Sequence, residues 1–319
     1  MLNAADLEKF LPQGETALHT PLRAVRDGTW KMAEAPPLLS TSVKCESGSF
    51  VVPAGKKAEL NIEWPLPGGG KVAARQLHIA VEDGAELTLL ELFKGQGWAA
   101  DNITITLGTG AKLTHAVVQH AEGIVTRTEN ISMGDNAHYG RLAVQSSSRL
   151  ARLDVALTLQ SNATVSAAGV NLCNANQVLD QTMLLTLNGP GNRCSVQQRN
   201  VLAAGAHSVF QGKYYVGQKA QKTDGYMLVN NLLLGDNALA FGKPELEIYA
   251  DDVKCSHGAS TGGLNPEQLF YMKARGIGEA AAKQLMVAGF AEELLADWPV
   301  DFIAAAQPVV HTWLESLSA

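Results

Sequence analysis

Asp83-Gly84-Ala85-Glu86-Leu87 returns three times in altered dress, as Thr109-Gly110-Ala111-Lys112-Leu113, Asp135-Asn136-Ala137-His138-Tyr139 and Ser161-Asn162-Ala163-Thr164-Val165. The alanines stand at 85, 111, 137 and 163, each 26 residues after the one before. The residue preceding each alanine is Gly, Gly, Asn and Asn, types that tolerate a positive φ. One place earlier stand Asp, Thr, Asp and Ser, whose side chains can hydrogen-bond back into a turn. One turn chemistry at a fixed interval marks a repeated structural unit.

Apolar positions downstream of the turn keep the same step: Leu90 and Leu92, Ala116 and Val118, Leu142 and Val144, Ala168 and Val170. The second half of each unit adds the stacks Ile105/Ile131/Leu157 and Leu107/Met133/Leu159. A unit with two β segments and no helix-period stretch cannot bury its apolar side chains alone, so units stack with like above like. The expectation is an all-β chain, a right-handed parallel β-helix followed by a C-terminal α-helical region. Parallel stacking follows from the one-directional repeat, and the right hand is the one that parallel crossovers favour. Gly205-Ala206 and Asp236-Asn237-Ala238 read as later copies of the same turn.

Outward from the repeat, three regions are expected: a lead-in over 1–42, the β-helix core over 43–258 and a helical region over 259–319. In the lead-in LNAADLEKFL forms a short helix, and APPLLSTS is extended because its prolines bar a helix. SFVVP and AELNIEW are β segments, and LPGGGK is a turn; Val72 stands where a phosphate loop needs a hydroxyl. In the last region Asn265-Pro266-Glu267 starts a helix and Gly276 closes it. Ala282, Leu285, Met286, Gly289, Phe290 and Leu294 share one helical face, Trp298-Pro299 breaks the chain, and a final helix is kinked or restarted at Pro308. This apolar surface suits docking onto the solenoid end or onto a partner.

The 319 residues are 46% hydrophobic, with a net charge of -6 and no basic tract. That balance argues against nucleic-acid binding. No run reaches the roughly 18 apolar residues of a membrane span, and the N-terminus MLNAADLEKFLPQGE has no signal-peptide character. A cytoplasmic location is expected, with Cys45, Cys173, Cys194 and Cys255 as reduced thiols.

The repeat gives way at KPELEIYADDVKCSHGASTGGLNPEQLFYMKARGI, residues 243–277, which holds Cys255 and His257. Residues two apart on an extended strand face one side, so thiolate and imidazole can serve one metal or one site completed by another chain. The competing reading is a buried thiol beside a hydrogen-bonded imidazole. Gly258-Ala259-Ser260-Thr261-Gly262 matches G-x-S-x-G, but a nucleophile elbow needs a strand–turn–helix in an α/β sheet; a flexible turn explains it. Asp251, Asp252, Glu245 and Glu247 invite comparison with β-helical polysaccharide lyases and hydrolases, although a solvated strand face explains them equally. Cys173 and Cys194 are expected in the core. Nothing in the sequence brings His115, His120 and His207 together.

Residues 243–277 closely resemble the SufB/SufD family of iron–sulfur cluster assembly proteins. Phe210-Gln211-Gly212-Lys213, Gln221-Lys222-Thr223-Asp224-Gly225 and Asn230-Asn231-Leu232-Leu233-Leu234 lean towards the SufD branch, as does Cys-Ser-His-Gly in place of a Glu-His-Glu run. The family's N-terminal helical region is much shortened. The resemblance implies a non-enzymatic scaffold subunit that pairs with a SufB-like subunit or with itself as a homodimer, and whose C-terminal helices bind a SufC-like ATPase. It implies that His257 and Cys255 hold iron or a nascent iron–sulfur cluster at the subunit interface, with no nucleotide site of the chain's own. A β-helical carbohydrate-active enzyme is the alternative, which a glycan-cleavage assay would reveal.

Overall fold

The computed structural model describes residues 31–41, 45–46, 48–146 and 148–317. The helix expected over LNAADLEKFL lies outside the described residues. Short strands β1 (Lys31–Met32), β2 (Leu38–Thr41), β3 (Cys45–Glu46) and β4 (Ser49–Val52) lead into β5 (Lys57–Pro65) and β6 (Lys71–Val81). Two 22-residue strands, β7 (Glu86–Leu107) and β8 (Lys112–Met133), then each wrap a whole coil. Next come β9 (His138–Ser146), β10 (Leu150–Leu159), β11 (Thr164–Cys173), β12 (Val178–Leu187), β13 (Arg193–Leu202), β14 (His207–Val216), β15 (Asp224–Leu233), β16 (Leu239–Ile248) and β17 (Lys254–Gly262). Helices α1 (Pro266–Ala274), α2 (Glu279–Glu292) and α3 (Val300–Ser316) follow. No helix among the described residues is long and apolar enough to cross a membrane.

From β5 onward each strand pairs in parallel with its counterpart one coil away, giving two facing sheets. The first contains β5, the leading halves of β7 and β8, then β9, β11, β13, β15 and β17. The second contains β6, the trailing halves of β7 and β8, then β10, β12, β14 and β16. The expected stacks are in register: Ile105 pairs with Ile131 and Ile131 with Leu157. The parallel β-helix with a C-terminal helical region is therefore what this repeat builds.

The turn residues behave as their chemistry requires. Gly84, Gly110, Asn136 and Asn162 have φ of 65, 67, 58 and 56°. The aspartates differ from expectation, since each reaches the next coil and not its own turn: Thr109 N donates to Asp83 Oδ1 at 2.7 Å and Ser161 N to Asp135 Oδ1 at 2.8 Å. Gly205 and Asn237 also have positive φ, but they belong to the opposite corner with Asn176. The first corner continues through Gly191 and Lys222, whose amides bond on to Gln221 O and Asp252 O. The period fades in sequence because these connections lengthen, from 160–163 to 188–192 and 217–223, while the strands between keep 10 residues.

Leu90, Ala116, Leu142 and Ala168 form a register column, as do Leu92, Val118, Val144 and Val170, but both columns point out of the solenoid. Helices α2 and α3 cover them with Val287, Ala291, Phe302, Ala306, Val310 and Trp313, joined by Leu295 from the connection between the helices. The helices thus lie along the side of the first sheet, not on the solenoid end. The buried stripe of α2 is also displaced from the expected one: Ala282, Val287 and Ala291 are buried, whereas Leu285 is exposed. Arg199 fastens α2 by donating to Phe290 O and to Glu293 Oε2 (2.7 Å), its guanidinium 5.0 Å from the Phe290 ring.

Asn265 caps α1 by accepting from Glu267 N and Gln268 N, and Gly276 takes φ 86°, both as expected. Helix α3 runs unbroken with Pro308 inside it. Residues 258–262 are not a turn; they belong to strand β17, so Ser260 does not occupy a nucleophile elbow.

Candidate functional site

The inward side chains of each coil form columns. On β15 the buried residues Gly225, Met227, Val229 and Asn231 point inward, and their partners on β17 are Cys255, His257, Ala259 and Thr261. Cys255 and His257 therefore share the inward face, as their spacing predicts. Met227 is fully buried, yet its partner His257 is exposed and Cys255 is only half-buried. The reason is position: among the described residues β16 and β17 each pair with only one strand, and no further coil lies on their outer edges. Neither strand has a buried residue, and Leu239, Phe241, Ile248 and Tyr249 are exposed around this end.

Beneath Cys255 the packing is tight. Tyr214 crosses from the second sheet and donates from its hydroxyl to Tyr226 O at 2.8 Å. Burial raises the Cys255 thiol pKa, while the Gly225 N–H, which donates to the sulfur, works against it. Among the described residues no side chain hydrogen-bonds to His257, and no three His, Cys, Asp or Glu side chains converge. Among the described residues this site offers one thiol and one imidazole, donors that suit iron.

The two glutamates nearby are occupied. Glu245 is bonded by Lys243 and Gln211, Glu247 by Lys213 and Tyr249, and these bonds lower both carboxyl pKa values. Cys173 and Cys194 are buried core residues; burial pushes the Cys194 thiol up to about 12.

Two polar systems inside the solenoid went unread in the sequence. In the first, Glu91 Oε1 accepts from His115 Nε2 at 2.6 Å and from Arg127, and Glu91 Oε2 accepts from Trp64 Nε1. Glu129 takes Arg127 Nε at 2.6 Å and Arg141 Nη2 at 3.0 Å, and Arg75 binds Asp101 with two bonds. Three carboxylates face three guanidiniums. Burial opposes ionisation of Glu91, but Arg127 and His115 outweigh it and hold its pKa down at about 2. Glu129 is likewise lowered, against burial, by Arg141 and Arg127.

The second system is a column of amides. Gln119, Gln145, Asn171, Asn200, Asn231 and Thr261 are successive register partners. Asn171 donates to Asn200 (2.9 Å), Asn200 to Asn231 (2.7 Å) and Asn231 to Thr261 Oγ1 (3.0 Å). The 26-residue step from Gln119 to Gln145 to Asn171 was the available signal for the column. For the ionic group it was charge at the inward parity of Leu87, Leu89 and Phe93.

A family model described as SUF system FeS cluster assembly, SufBD core domain, matches residues 66–290. The iron–sulfur cluster assembly protein SufD of Escherichia coli K12 is 41% identical over 133 residues, 42% of this chain and 31% of that protein. An iron–sulfur cluster assembly SufBD family protein of Synechocystis is 34% identical over 163 residues, 51% of this chain and 36% of its own length. One from Mycobacterium tuberculosis H37Rv is 29% identical over 259 residues, covering 72% and 61%. The chain thus spans about a third of the length of the first two relatives.

Proposed function

The chain belongs to the SufBD family of the SUF iron–sulfur cluster assembly system, and from that premise we propose that it is a scaffold subunit without catalytic activity of its own, working in the cytoplasm. Its open β-helix end pairs with a SufB-like subunit or with a second copy of itself. Cys255 and His257 hold the cargo, iron or a nascent cluster, with the remaining ligands supplied across the interface. The observation that carries this reading is the contrast along one column, from buried Met227 to exposed His257, on strands whose outer edges are unpaired among the described residues. Unpaired edges flanked by exposed apolar side chains invite strand addition by another chain.

Helix α1 is the proposed seat of the SufC-like ATPase. It has no buried residue, and Phe270 and Tyr271 are 73% and 58% exposed. Deleting 264–319 is a poor probe, because it would also strip the cover from Val118, Leu142 and Val144. Phe270→Glu is the cleaner one: it should abolish ATPase capture with Tm unchanged, and full capture would remove α1 from the interface. For the site itself, His257→Ala should lower the iron or cluster content of the assembled complex while pairing persists. Undiminished content in both His257→Ala and Cys255→Ala would end the assignment.

A further inference from the structure

Gln221-Lys222-Thr223-Asp224-Gly225 forms the end of a connection and the start of β15. Four of its groups, Gln221 Oε1, the Lys222 amide and ammonium, and the Thr223 carbonyl, engage the segment leading to Cys255. Gln221 Oε1 accepts from Asp252 N at 2.9 Å. Lys222 N donates to Asp252 O at 2.6 Å, and its ammonium pairs with the Asp252 carboxylate. Lys222 does this at φ 63°, the only described residue in positive φ that is neither glycine nor asparagine. Thr223 is held by its own hydroxyl on Ala220 O (2.7 Å), and its carbonyl receives Lys254 N at 2.8 Å.

Gly225 completes the set. A Cβ added there would stand 3.0 and 3.1 Å from Cε2 and Cδ2 of Tyr214 and 3.3 Å from Cys255 Sγ. The missing side chain leaves room for both the phenol ring and the sulfur.

We propose that Gln221–Gly225 is a positioning cradle for Cys255, in which Gly225 sets where the thiol lies by leaving room over its backbone for both Tyr214 and the sulfur. This rests on Cys255 being a site residue, yet it can be tested without metal or partner. The readout is the rate at which iodoacetamide alkylates Cys255 in the folded full chain, followed on the Cys255 peptide by mass spectrometry. Gly225→Ala should force the sulfur from its place and speed alkylation roughly tenfold, since access controls thiol reactivity. Tyr214→Leu added to Gly225→Ala makes space for the new methyl and should return the rate towards that of the parent, a rescue that general loosening would not give. A folded Gly225→Ala protein with the parent's rate overturns the proposal. If that variant does not fold, Gln221→Ala and Lys222→Gly decide: both should accelerate alkylation at least threefold, and unchanged rates in both overturn it. Loss of cluster binding in His257→Ala with normal alkylation responses, or the reverse, separates the fate of the cradle from that of the scaffold reading.

Discussion

Two parts of the same bore hold polar side chains at inward positions, and they treat them in opposite ways. Around Glu91, Arg127 and Glu129 every charge meets an opposite charge, and the coils above and below shut out water. At the last coil Cys255 and His257 occupy equivalent positions with, among the described residues, no ion partner and no coil beyond. A buried charge is tolerated only when paired, so the first group is committed to structure. The second, with His257 exposed and Cys255 half-buried, is the pair proposed to hold the cargo. On the proposed function, pairing state, not residue type, separates scaffold from site.

The comparison breaks most visibly if the buried side is disturbed. Glu129→Ala takes the carboxylate from Arg141 and leaves Arg127 with Glu91 alone, and should cost about 3–5 kcal/mol, seen as a large fall in Tm. Acid acts on the same group. The Glu91 pKa is lowered in the fold, so its stabilisation is complete above the unfolded value of 4.5 and is lost as pH falls through about 2. Tm should therefore drop across that window, and Glu91→Gln should flatten the slope; parallel slopes would show that the carboxylate is not ionised in the fold. In the amide column, Asn200→Ala orphans groups on Asn171, Asn231 and Gln198 and should cost about 3 kcal/mol. Gly110→Val meets open space but a forbidden φ of 67°, so about 1–2 kcal/mol is expected from backbone strain alone. His257→Ala sits at the other extreme: denaturant midpoints should move by less than about 0.5 kcal/mol. A larger loss would place His257 with the structural group.

The turns were legible because a positive φ demands glycine or asparagine, and that demand recurs on a fixed step. Cys255 and His257 were legible as a pair because strand geometry puts alternate residues on one face. Leu90 and Leu92 were seen as a stack, but nothing local says that their side of the strand faces outward; only α2 and α3, about 200 residues away in sequence, make it interior. Gly258–Gly262 was misread as a turn because its two glycines suggest one, and the pairing that extends it comes from Asp224–Leu233. The openness of the last coil depends on which strands exist beyond it, which no short window contains.

The covering helices carry a consequence for how the molecule comes apart. Coils joined only to their neighbours melt like a stack of plates, from the ends inward. Here α2 and α3 lie across β8, β9, β11, β13 and β15 at once, a splint that obliges those coils to open together. β16 and β17 lie beyond it at one end of the stack, as β5 and β6 do at the other, and opening is least costly at such ends. The coil that carries Cys255 and His257 should therefore exchange its amide protons ahead of the splinted coils and become slow to exchange when another chain takes its place at the edge.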